Sequence, residues 1–100
     1  MPIIVSGATN PSACNGTYNE NGVYGGETRY THESESFEIG YYAETAWIVT
    51  DDLDTAESAY FVNFTSLLSD EWAADEGTGD ISVVEAPSEE AIMVEVPYVF

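Results

Sequence analysis

The sequence predicts an all-β fold, a small antiparallel meander or sandwich-like sheet of seven to nine short strands. Three observations carry the prediction. Apolar and aromatic residues alternate with a period of two, most plainly in FEIGYYAETAWIVTD at residues 37–51. Glycine and asparagine pairs punctuate the chain every few residues in its first third. One stretch, residues 66–76, admits a short helix, with Leu68 and Trp72 at i, i+4.

Taken in order, Ile3–Val5 reads as a first edge strand and residues 6–12, SGATNPS, as a turn-rich loop. Asn15-Gly16 suits a tight turn into Thr17–Glu20, and Asn21-Gly22 is the strongest local hairpin signal. Gly25-Gly26 is a second tight turn, followed by an alternating strand at Thr28–His32, so residues 16–32 read as three strands and two turns. Residues 37–51 form the central hairpin: Phe37, Ile39 and Tyr41 share one face with Trp47 and Val49 of the return strand, and Trp47 anchors the core. Asp51–Asp54 is an acidic turn, and Ala59–Phe64, apolar on both faces, reads as a central strand. Residues 65–76 fit either a short helix, capped by Ser66 and carrying Leu68 and Trp72, or an irregular loop that docks Trp72 on the core. Ile81–Val84 is another strand, ended by Ala86-Pro87.

The last stretch, Ala91–Phe100, sets Ile92, Val94, Val96, Tyr98 and Phe100 on one face. Burying five such side chains is worth on the order of 7–15 kcal/mol, and an exposed edge of this kind promotes aggregation. The division expected is an all-β module at 1–87 and an apolar strand or docking arm at 88–100. The arm either completes its own sheet or pairs with a neighbouring subunit.

One hundred residues with 44% apolar content make one domain with a modest core. Charge is the outlier, with 19 acids against the single base Arg29 and a net charge of −18. Binding to a DNA or RNA backbone needs several Lys and Arg to displace counterions, so nucleic acid is not an expected partner, and anionic membranes are excluded likewise. Basic proteins, divalent cations, neutral glycans and apolar surfaces of other subunits fit better, and adaptation to salty surroundings is a further cause of such a coat. The first residues lack a positive region, and no run approaches the roughly 20 apolar residues of a spanning helix. A soluble chain made in the cytoplasm is expected.

The string Asn15-Gly16-Thr17-Tyr18, Gly22-Val23-Tyr24-Gly25-Gly26 with Tyr30, Ile39 with Tyr41-Tyr42, Trp47-Ile48-Val49, Tyr60, Trp72 and Gly77-Thr78-Gly79 spans residues 3–87. It resembles a small all-β module of bacteriophage virion proteins and bacterial surface or extracellular proteins. That module runs NGxY, NGxPxY, an aromatic-rich strand leading to WxI, then a Tyr and a final Trp before a Gly-rich close. Here Gly25-Gly26 with Glu27-Thr28-Arg29 replaces the NGxP turn, and Tyr41-Tyr42 stands where a Trp-rich pair is common. The pattern holds no catalytic residue. The resemblance implies a non-enzymatic virion structural protein, a capsid decoration or cement protein or a head fibre, that binds and stabilises the assembled particle. Its partners would be major capsid or other virion proteins and further copies of itself, with a trimer as the expected assembly and no cofactor.

Two other function classes fit the chain. A carbohydrate-binding or adhesin module requires exposed Tyr or Trp in a groove. An acidic DNA mimic requires carboxylates in phosphate-like rows, and 18 charges equal about ten base pairs of duplex. The acids are spread through every loop and strand, which disfavours mimicry.

Candidate sites are few. Asp51, Asp52 and Asp54, with Glu57, offer oxygen ligands for a hard cation, but Ala56 and Glu57 occupy an oxygen-ligand and the invariant glycine position of an EF-hand loop. A solvated acidic turn is the default reading there and at Asp70, Glu71, Asp75 and Glu76. Nothing selects two of 19 carboxylates as a hydrolytic dyad. His32 reads as a strand-surface residue and the lone Cys14 as incidental, while Tyr18, Tyr24, Tyr30, Trp47 and Trp72 read as core. The partner-binding residues expected are Ile92, Val94, Val96, Tyr98 and Phe100.

Overall fold

The structure is a computed structural model that describes residues 2–56, 58–65 and 67–86. Among these residues eight antiparallel strands follow one another: β1 (Ile3–Asn10), β2 (Gly16–Tyr24), β3 (Glu27–His32), β4 (Glu38–Tyr42), β5 (Ala46–Thr50), β6 (Phe61–Asn63), β7 (Ala73–Ala74) and β8 (Thr78–Glu85). They form one sheet in the order β7-β6-β5-β4-β3-β2-β1-β8. The sheet curls until β7 and β8 approach each other, so the architecture is a nearly closed barrel. Among the described residues, helix is limited to two single 3₁₀ turns, at Ser12–Cys14 and Leu53–Thr55, and no helix is long and apolar enough to cross a membrane.

The interior follows the period-two pattern. Ile39 pairs with Val49 and Tyr41 with Trp47 across the β4–β5 hairpin. These side chains meet Ile3, Val5, Tyr18, Phe61 and Val83 in the main core. Trp47 is buried there, as expected of its size. The opposite face of β4 and β5 is buried as well, because Leu53, Ala56 and Ala59 fold over it. Leu53 packs with Ala46, Ile48 and Ala59 in a second, smaller cluster. A Cβ on Gly40 would stand 2.6 Å from Leu53 Cδ1, so glycine is what lets this outer layer approach. The central hairpin therefore has two buried faces rather than the single one its alternation suggests.

Several local expectations are corrected. Residues 3–5 are not an edge: β1 runs eight residues and lies between β2 and β8. It continues through the predicted loop because bulges absorb the irregular residues between Ser6 and Asn10. The Asn15 side chain supplies an extra rung, donating to Ala8 O and accepting from Ala8 N at 2.9 Å each. Asn21-Gly22 is not a hairpin but a bulge within β2, where the register shifts between Glu20 and Val23. The turn falls at Gly25-Gly26, both left-handed at φ 63° and 83°. Residues 16–32 thus hold two strands, not three. Residues 59–64 yield only the three-residue β6, one strand from the edge, whose two apolar faces serve the main core and the outer cluster.

The loop alternative holds for residues 67–76, which contain no helix. Trp72 packs on the main core and its Nε1 donates to Leu68 O at 2.7 Å. The proposed cap, Ser66, lies outside the described residues. So do Glu57 and the arm residues Ile92, Val94, Val96, Tyr98 and Phe100.

Candidate functional site

The residues that sequence chemistry singles out are committed to structure. Arg29 and Glu38 meet on the outer face of β3 and β4. Arg29 Nη2 lies 2.7 Å from Glu38 Oε2, and Nε donates to the same oxygen at 2.9 Å. Glu38 also accepts from Thr31 Oγ1 and from the Leu53 N–H. One buried carboxylate thereby ties β3, β4 and the 3₁₀ turn at Leu53 together. The hydrogen bond to Glu38 raises the Arg29 pKa above its already high value, so the chain's single Lys/Arg cation is neutralised where it stands.

Asp51, Asp52 and Asp54 do not converge. Asp51 accepts from the Tyr60 hydroxyl at 3.0 Å, Asp52 caps the Asp54 N–H at 3.0 Å, and Asp54 lies 3.5 Å from Arg29. Among the described residues no three His, Cys, Asp or Glu side chains are grouped to hold a metal ion. The hydrogen bond to Asp51 raises the Tyr60 pKa above its ordinary value.

His32 is buried, not on the strand surface as its alternation suggested. Its Nδ1 accepts from the Ser34 and Glu35 N–H groups at 3.1 and 3.0 Å. That fixes the proton on Nε2, which donates to Asn15 O at 2.8 Å. Both nitrogens are used, and the ring packs edge-on to Tyr18. Cys14 is fully buried in the core, where desolvation and then the Asp51 charge push the thiol pKa up to about 12. Such a thiol is inert at neutral pH. Tyr18 and Trp47 are buried, while Tyr24, Tyr30 and Trp72 pack partly buried on the two clusters.

What remains uncommitted is apolar. On the outside of β5 and β6 lies a groove of about 320 Å³, lined by Tyr42, Ala46, Ile48, Ala59, Val62 and Phe64. The backbone explains its position. Ile48 pairs with Val62 and Tyr42 with Ala46, and members of such pairs share a face, here the one opposite Trp47 and Phe61. Ala56 and Ser58 wall one side. Phe64 is 71% exposed and Tyr42 40% exposed. In an acidic coat, large apolar side chains gathered at one groove mark a contact surface. The sequence carries the signal in AWIVT and FVN, which are apolar at adjacent positions and so dress two faces at once.

No protein-family model, curated protein or solved structure matches the chain.

Proposed function

We propose that this is a non-enzymatic virion structural protein, a capsid decoration or cement protein that binds the assembled particle and stabilises it. The observation that carries the reading is the exposed apolar groove around Phe64, set in a domain with a net charge of −18 and a tightly bonded frame. The sequence resemblance of residues 3–87 to a phage virion module supports the same role. A ligand that binds the assembled shell and not its dissociated subunits stabilises the shell by mass action. The groove supplies the apolar contact, and the carboxylate coat favours basic partner surfaces and repels anionic ones.

The chemistry at hand supports a role without catalysis. His32 and Cys14 are buried in structural bonds or core, and Glu38, Asp51, Asp52 and Asp54 hold hydrogen bonds or ion pairs within the fold. Particles of the virus that encodes this chain, purified on a density gradient and quantified by mass spectrometry, test the proposal. The chain should be present in a fixed ratio to the major capsid protein. Its absence from intact particles would contradict the role.

A carbohydrate-binding module is the second reading, favoured by Tyr42 beside Phe64 at the groove. Tyr42 brings a partly exposed ring with a polar tip, and among the described residues that line the groove Thr45, Ser58 and Asp75 carry side-chain acceptors. The virion reading uses the whole apolar groove and is preferred.

A further inference from the structure

One end of the barrel holds a cavity of about 570 Å³, a size and a place typical of small-molecule sites. Strand register puts polar side chains on its inner face. Glu85 of β8 pairs with Ile3, and Val83 with Val5; opposite residues share a face. Ile3, Val5 and Val83 are buried in the main core, so the Glu85 carboxylate stands on the core side, at the rim. Tyr30 of β3 pairs with the core residue Ile39, and Thr28, two residues earlier, shares its side. Glu27, at the start of β3, reaches the same cavity. Ile3, Trp47, Leu67, Leu68 and Val83 give it apolar walls.

Two features of this lining call for a ligand. Trp47 is 5% exposed, and among the described residues its Nε1–H has no acceptor. Buried donors are almost always paired, so an acceptor is wanted at the cavity that Trp47 lines. The second feature is charge. Glu27 and Glu85 bring two carboxylates, and among the described residues no Lys, Arg or His lines the cavity. The chain's single Lys/Arg cation is held by Glu38 on the outer face. Burial first, then Glu85 and Glu27, raise the Tyr30 pKa, so both carboxylates act on the place where that hydroxyl sits. An anion is repelled there and a cation is drawn in.

We propose that this barrel mouth binds a small aliphatic cation that carries a neutral oxygen acceptor. Its ammonium group donates to Glu27 and Glu85, where hydrogen bonds are charge-assisted. Its carbonyl or hydroxyl oxygen takes the Trp47 N–H, and its methylene stem lies along Ile3, Leu68 and Val83. A quaternary ammonium fits less well, since it has no N–H for the carboxylates. The assignment is independent of the virion role and uses none of the residues that line the groove around Phe64.

Nα-acetyl-lysine methylamide, a cation with neutral carbonyl acceptors, is the probe. The chain has two tryptophans, so an isotope-labelled sample shows two indole N–H signals in a heteronuclear spectrum. Titration should move the Trp47 indole signal saturably, with a Kd below about 1 mM. Nα-acetyl-norleucine methylamide, which lacks the ammonium group, should bind at least about tenfold more weakly. Glu85→Gln should weaken the lysine probe by about tenfold or more. Its urea midpoint should match that of the parent chain, because Glu85 is exposed. Glu27→Gln, also at an exposed position, gives a second variant with the same expected direction. A Trp47 signal that the probe leaves in place would overturn the proposal and leave its N–H to water. Equal binding of the two probes, or binding that neither variant weakens, would overturn it as well.

Discussion

Glu38 and Arg29 show how one pair of side chains organises an otherwise repulsive surface. In a chain with 19 acids, the single Lys/Arg base is placed where it neutralises a buried carboxylate and braces three segments. Glu38 was not singled out by sequence reasoning, because a carboxylate in an alternating strand reads as solvent-facing. Its burial depends on the cover that Leu53 supplies, which no local pattern announces. Cys14 and Tyr18 make the same point from inside the core. Cys14 looked incidental in a polar stretch, yet its carbonyl accepts the Tyr18 hydroxyl at 2.7 Å and both side chains are fully buried. The folded thiol keeps its proton up to about pH 12 against an ordinary value of 9.0. Its contribution is therefore complete below pH 9 and is lost as pH rises from there towards 12, at about 1.4 kcal/mol per pH unit. Burial raises the Tyr18 pKa too, so that side chain adds to the loss above its ordinary value of 10.0. Urea unfolding at pH 8 to 11 should show stability falling above pH 9, and Cys14→Ala should delay the fall until the tyrosine titrates. An unchanged profile in that variant would contradict the assignment.

At the scale of elements, the central hairpin was the most legible part of the chain. Period-two alternation correctly placed Phe37, Ile39, Tyr41, Trp47 and Val49 on the interior face. Alternation says which residues share a face but not what covers the other one, so the groove formed by Ile48, Val62 and Phe64 went unread. The misplaced turn at Asn21-Gly22 has a comparable cause. The dipeptide supplies a left-handed residue, Gly22 at φ 81°, and a bulge needs that as much as a hairpin does. Only pairing across to β3 decides between them. The β4–β5 turn offers a converse test. Ala43 and Glu44 both sit left-handed, at φ 51° and 57°, in a turn closed by Thr45 N to Tyr42 O at 3.0 Å. Non-glycine residues are strained there. Replacing them with Asn-Gly (A43N/E44G) should raise stability by about 1–2 kcal/mol, read as a higher urea midpoint at unchanged slope. No gain would mean that the turn relaxes in solution.

For the whole molecule, fold class and strand number followed from punctuation and alternation, whereas closure did not. The order of the sheet sets β8 beside β1 at one end and β7 at the other, a pairing between the first and last described strands that depends on long-range packing alone. The result, among the described residues, is a braced barrel with an acidic coat and an apolar groove on the outside of β5 and β6. Attachment is the central claim. Purified protein should co-sediment with virus particles prepared without it, and Phe64→Asp should abolish that binding. Phe64 is 71% exposed, so the variant should fold and melt like the parent chain. Co-sedimentation that survives Phe64→Asp, or that fails with the parent chain, would contradict attachment through the groove.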